Sequence, residues 1–176
     1  MFRLLVSFLG FLFSLGSVLG LIAAAAVGVY ISQLSSSLPS VNVLRNYEPP
    51  VMTRIHAADG SLVAEYARER RLFLPIQAIP QRIRDAFLSA EDSSFYEHSG
   101  IDPQAVVRAL VTNLRNRGSN ARPVGASTIT QQVAKNFLLT NEVSIKRKIR
   151  EAILALRIER AMDKDRILEL YLNEIY

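Results

Sequence analysis

The chain of 176 residues contains no cysteine. That excludes a disulfide framework, a thiolate metal site and a thiol nucleophile, and it leaves the redox compartment unmarked. Histidine is nearly absent: His56 and His98 stand alone, which excludes a multi-histidine metal centre. The glycine-lysine-serine spacing of a Walker loop does not occur, and no internal repeat is visible. Charge is missing from one long stretch. After Arg3, no Asp, Glu, Lys, Arg or His appears until Arg45.

That uncharged stretch is the first positive signal. Residues 4–31 are almost wholly apolar or small, long enough to span a bilayer. A secretory h-region is shorter, about 7–15 residues. The rival reading is a cleaved signal peptide, for which the Ala23–Ala26 run offers small residues. As an uncleaved anchor, the segment has residues 1–3 as a cytoplasmic tail, because Arg3 and the amino terminus favour that side. Everything after Ile31 then lies outside the cytoplasm. The net charge of +5 points to an anionic partner, with nucleic acid, anionic lipid and a phosphate-bearing substrate all open.

Residues 32–50 read as a linker, since Ser35-Ser36-Ser37, Pro39 and Pro49-Pro50 break regular structure. Residues 51–74 read as a membrane-proximal β-hairpin, with Val51–Ala57 and Leu62–Ala67 flanking a two-residue Asp59-Gly60 turn. His56 falls on its surface. Arg68, Arg70 and Arg71 follow, either against lipid headgroups or as a solvated face.

From residue 75 the chain reads as helical. A helix starts at Pro80. Asp102-Pro103 supplies an N-cap and a first-turn proline. Val107, Leu110, Val111 and Leu114 form the apolar face of that second helix, and Gly118 stops it. Residues 119–125 form a polar loop. Ser127 or Thr128 opens the next helix, where Thr128 and Gln131 fit a capping box, followed by the inner stripe Ile129, Val133 and Phe137. Ser144 starts the next helix, with Ile145, Ile149, Ile153 and Leu156 buried. Asp163 caps a last helix carrying Ile167, Leu168 and Leu170–Leu172. The pattern runs to Tyr176 without a stop signal, so the sequence reads as a fragment of a longer protein.

Three clusters carry chemistry. In Ala90–Gly100, Ile83, Phe87, Glu91 and Phe95 recur at helical steps, which sets Glu91 on an apolar stripe. Partial burial there raises a carboxyl pKa toward the range of a general acid or base. Alternatively the helix ends near Glu91 and the acid faces water. The second cluster, Gly125–Gln132 with Lys135 and Asn136, offers backbone and side-chain donors to an anion or a sugar, or is ordinary capping. In the third, Arg147, Lys148 and Glu151 are spaced to meet on one helix face. They form either a surface ion pair or a basic clamp for a diphosphate, with Glu151 orienting the cations or holding a divalent metal.

Taken in order, Glu91-Asp92-x-x-Phe95-x-x-His98-x-Gly100, Gly125-x-Ser127-Thr128-Ile129-Thr130-Gln131-Gln132 and Arg147-Lys148-x-x-Glu151 resemble the first three motifs of the family 51 peptidoglycan glycosyltransferases. Residues 167–173 resemble the start of the fourth. With the anchor and hairpin, the chain looks like the N-terminal part of a bifunctional class A penicillin-binding protein of the 1A type. The resemblance implies a mainly α, lysozyme-like domain over residues 75–176, truncated, and polymerisation of lipid II into glycan strands with release of undecaprenyl diphosphate. Glu91 matches the general base and Glu151 the second essential carboxylate. Arg147 and Lys148 match positions that receive the diphosphate, with Lys135 near the substrate. Ser127, Thr128, Gln132 and Asn136 match the substrate groove. Asp92, Phe95 and His98 match its substrate-binding first motif, Phe95 and His98 shaping the site rather than reacting.

The resemblance further implies Mg²⁺ or another divalent cation near Glu151 and no organic cofactor. It implies a single-pass protein of the bacterial inner membrane with a periplasmic catalytic domain, working with other cell-wall synthesis proteins and not with nucleic acid. The fifth motif and most of the fourth are missing, and no Ser-x-x-Lys penicillin-binding motif is present. A glycan-cleaving lysozyme-like enzyme and a non-catalytic membrane-anchored binding module are the rival classes.

Overall fold

The computed structural model describes residues 2–47, 53–66, 72–118, 121–140 and 142–174, with side chains from Ser7 onward. Arg68, Arg70 and Arg71 lie outside the described residues. The chain divides into two units, residues 1–38 and 39–176.

The first unit is a single helix, α1 (Phe2–Ser36). Within it Ser7–Ser36 has a mean hydropathy of 2.2, long and apolar enough to cross a membrane. It runs on past Ile31 into the expected linker. Serine does not by itself break a helix, and the Ser36 and Ser37 hydroxyls donate back to the carbonyls of Gln33 and Leu34. The helix ends ahead of Pro39, which supplies no N–H to continue it. The linker is not structureless further on either: α2 (Asn42–Arg45) forms a short turn of helix that buries Leu44.

In the second unit, β1 (Thr53–His56) and β2 (Leu62–Tyr66) pair antiparallel. The connection has three residues rather than two. Ala57 N–H donates to Ser61 O and Gly60 N–H to Ala57 O, so residues 58–60 form the loop, with Gly60 at φ 83°. This is the type I turn closed by a left-handed residue, for which glycine carries no Cβ penalty. The extra residue is absorbed as a register shift between Ile55 and His56.

The helical body comprises a 3₁₀ turn at Ile76–Ala78, α3 (Gln81–Glu91), α4 (Pro103–Arg115), α5 (Ile129–Leu138), α6 (Ile145–Ala161) and α7 (Lys164–Glu174). The helix starts follow local chemistry. Asp102 accepts from Ala105 N–H, with Pro103 in the first turn of α4. Thr128 and Gln131 close both halves of a capping box. Ser144 accepts from Arg147 N–H, and Asp163 from Arg166 N–H.

The core lies where α5 packs against α6 and α7. Ile129, Val133 and Ala134, then Leu154, Ala155 and Ile158, then Ile167, Leu168, Leu170 and Tyr171 are buried there, with Phe95 beside them. Each large aliphatic side chain so removed from water contributes about 1.5–3 kcal/mol before ordering costs. Residues 72–79 are strapped to α7. Asn173 exchanges two hydrogen bonds with the Leu74 backbone, and Glu169 accepts from Ile76 N–H at 2.8 Å.

Two expected faces differ from the structure. On α6, Ile145 is 82% exposed and Leu156 38%, Ile149 and Ile153 are half-buried, and Glu151, Leu154, Ala155 and Ile158 are buried. The helix has two apolar stripes, and the buried one contains a glutamate whose charge is matched by Arg147 and Lys148. On α4, Val107, Leu110, Val111 and Leu114 face outward, and only Ala109 is buried.

Candidate functional site

α3 ends at Glu91, so the four-residue step from Glu91 to Phe95 is not made along a helix. Glu91 is exposed at the helix end rather than half-buried on an apolar stripe, and the burial invoked for its carboxyl is absent. Phe95 sits in the following turn, 1% exposed, and Ile83 is 48% exposed. The water-facing alternative for Glu91 is the one realised. One of its oxygens accepts from the Gln132 amide at 2.8 Å. The other has no hydrogen-bond partner among the described residues, and the residue lines a cleft.

That cleft has a volume of about 540 Å³ and is lined by Glu91, Ser127, Gln132, Lys135, Arg147, Lys148 and Glu151, together with Ala90, Val124, Gly125 and Gln131. Its three cations outnumber its two carboxylates. Arg147 donates to one oxygen of Glu151, and Lys148 Nζ to the other at 2.7 Å. Lys148 also reaches Ser127 Oγ at 2.7 Å, which ties α6 to the segment before α5. The Arg147 Nε is buried and has no partner among the described residues, so the guanidinium retains a donor. Glu151 is 2% exposed and fully engaged by cations. Among the described residues no group of three His, Asp or Glu side chains converges on one point. A divalent cation there would have Glu151 as its protein carboxylate, with phosphate and water oxygens for the rest.

Five sequence-singled residues lie outside the cleft lining. Thr128 is buried, its hydroxyl donating to Gly100 O at 2.7 Å and accepting from Gln131 N–H. Asn136 is exposed on α5. Asp92, Phe95 and His98 form the layer behind Glu91. His98 Nδ1 accepts from Gly100 N–H at 3.1 Å, which leaves the proton on Nε2 for the Asp92 carboxylate at 3.0 Å. Asp92 in turn accepts from Ile129 N–H at 3.0 Å, in the first turn of α5, where an anion is favoured. Gln131 lines the cleft as well as closing the capping box. Thr130, Glu159 and Lys164 join Phe95 and His98 in a buried network with no sequence signal beyond cap and surface spacing.

Residues 59–176 match the transglycosylase family. The chain is 51% identical over 160 residues to penicillin-binding protein 1A of Rickettsia bellii (strain RML369-C), covering 91% of this chain and 20% of that protein. It is 45% identical over 157 residues to penicillin-binding protein 1A of Neisseria flavescens, covering 89% of this chain and 19% of that protein. With the protein of that name from Aquifex aeolicus (strain VF5) it shares 42% over 161 residues, 90% of this chain and 22% of that protein. The chain thus spans about a fifth of the length of these relatives. Its apolar helix and these relatives mark a membrane-anchored protein. With a family match that runs through the hairpin turn, both walls of the cleft and the helix behind them, the chain belongs to the transglycosylase family.

Proposed function

We propose that this chain is the N-terminal part of a peptidoglycan glycosyltransferase that polymerises lipid II into glycan strands during cell wall synthesis. The observation that carries the reading is the shared cleft. A carboxylate with one free oxygen, Glu91, faces the same space as a guanidinium and two ammonium groups. In this reading Glu91 takes the proton from the 4-hydroxyl of the acceptor's N-acetylglucosamine. That oxygen bonds to the anomeric carbon of the donor's N-acetylmuramic acid with inversion, and the bond from that carbon to the diphosphate breaks. The leaving undecaprenyl diphosphate carries away the electron pair. Arg147, Lys148 and Lys135 supply positive charge where that negative charge grows, which stabilises the transition state more than the ground state. Glu151 holds Arg147 and Lys148 in place.

The apolar helix supports a single pass through the bacterial inner membrane, with Arg3 on the cytoplasmic side and the cleft on the periplasmic side, where lipid-linked sugars are used. The relatives' name extends the proposal. The full-length protein also binds penicillin as a transpeptidase through a part outside these residues, and it works beside other cell-wall synthesis proteins.

The test follows fluorescent lipid II with the full-length protein in liposomes. Wild type is expected to build glycan ladders. Glu91→Gln is expected to bind lipid II and lose nearly all polymerisation. Normal ladders from Glu91→Gln would remove the base assignment. Shortening of preformed glycan without chain growth would assign a hydrolase instead.

A further inference from the structure

Behind the cleft lies a second charged knot that touches none of its lining. Lys164, the first residue of α7, donates from Nζ to Glu159 Oε1 at 2.7 Å and to the His98 carbonyl at 2.7 Å. The same ammonium stands 4.4 Å from the centroid of the Phe95 ring. Glu159, near the end of α6, also accepts from the Thr130 hydroxyl at 2.6 Å. The side chains are 20% and 7% exposed, so the pair is largely withdrawn from solvent screening. Glycine is required where the loop meets it. Gly100 adopts φ 94°, and a Cβ there would lie 2.9 Å from the Ala155 backbone and 3.1 Å from Glu159 Cγ.

The knot grips the two structures that hold Glu91. One is the loop of residues 92–100, seized at the His98 carbonyl and the Phe95 ring. Its His98 ring holds Asp92, the residue that directly follows Glu91. The other is the start of α5, seized at Thr130, two residues before the Gln132 amide that bonds Glu91. Both attachments of the cleft carboxylate therefore run back to one ion pair.

We propose that Glu159 and Lys164 are positioning residues for the glycosyl transfer, fixing Glu91 against α5 without touching substrate. The proposal rests on Glu91 being the general base. The clamp of Arg147 and Lys148 lies outside the knot's grip, so substrate affinity is carried separately from base placement. Displacing a reacting group by about 1 Å costs about 10²-fold in rate.

The experiment is a kinetic cycle in the full-length, liposome-reconstituted protein with lipid II. It measures wild type, Lys164→Met, Lys164→Arg, Glu91→Gln and the Lys164→Met/Glu91→Gln double variant, each normalised to its lipid II binding stoichiometry. Lys164→Met is expected to lower kcat per binding site at least about tenfold with KM within about twofold. Lys164→Arg, which keeps charge and donors, is expected to recover part of that loss. In the Glu91→Gln background the Lys164→Met change is expected to add nothing, because the knot acts through Glu91. Where Lys164→Met binds no lipid II at all, the near-isosteric Thr130→Val carries the same comparison. Unchanged kcat per site in Lys164→Met, or an undiminished further loss in the double variant, would overturn the positioning role while leaving the base intact. Full activity in Glu91→Gln alone would instead remove the reading on which the inference rests.

Discussion

Gln132 donates its side-chain amide to Glu91 at 2.8 Å and so joins the end of α3 to the second turn of α5. Among the described residues no other group hydrogen-bonds the cleft carboxylate, so this bond holds its rotation. Gln132→Ala frees Glu91 to rotate. The expected outcome is a kcat lower by about 10²-fold, with the KM for lipid II within a few-fold, read from initial rates of glycan formation. Gln132→Glu puts a second carboxylate against the first and is expected to be worse than alanine, because like charges at hydrogen-bonding distance cannot both stay ionised without cost.

Glu151 is buried with two cations, so its removal leaves charge unmatched. Arg147 is the more deeply placed partner, while Lys148 is 48% exposed on its side chain and can turn to water. Glu151→Ala is expected to destabilise the helical body by about 3 kcal/mol. The double variant Arg147→Met/Glu151→Met is expected to lose clearly less, since it removes both buried charges and fills their volume. Denaturant unfolding of the three proteins measures this directly. A double variant weaker than Glu151→Ala would mean that the pair contributes net stability.

How much of this was legible from the sequence depended on how local its cause was. Asp102-Pro103, Thr128 with Gln131, and Ser144 mark helix starts through bonds reaching only three residues along the chain, and all three stand as read. The Arg147, Lys148 and Glu151 spacing likewise set one helix face. What failed were questions that only packing decides. The two apolar stripes of α6 are alike in composition, and the burial of the one holding Glu151 depends on where α5 and α7 lie. Phe95 fits the helical period of Ile83 and Phe87, yet the chain turns after Glu91 and buries Phe95 from another direction. Lys164 carries no local signal, because its partners His98 and Glu159 meet it only once the helices are packed.

Two glycines separate backbone strain from crowding. Gly100 and Gly118 adopt nearly the same backbone, φ 94° and 97°, but a Cβ on Gly118 meets nothing within 4 Å, whereas one on Gly100 strikes the Ala155 backbone. Alanine at either site carries about 1–2 kcal/mol of left-handed strain. Gly100→Ala is expected to cost about 1–3 kcal/mol more, because Ala155 lies mid-helix and cannot move aside. Equal melting temperatures for the two variants would show that α6 yields at this contact.

Asp102 gives the pH dependence a definite sign. The Ser94 hydroxyl, at 2.6 Å, and then the Ala105 N–H donate to its ionised carboxylate and hold its pKa below the ordinary value. A group with a depressed folded pKa contributes stability that is present above its unfolded pKa, about 3.9, and that is lost as pH falls through the folded value. Asp102→Asn keeps an N-cap acceptor but has no charge to lose. The variant is therefore expected to melt below wild type at pH 7, with the gap closing as pH drops below about 4. Thermal unfolding at pH 7 and across the acid range tests this. A gap of constant size at every pH would mean that Asp102 acts as a neutral cap, with the Ser94 bond contributing no charge-dependent stability.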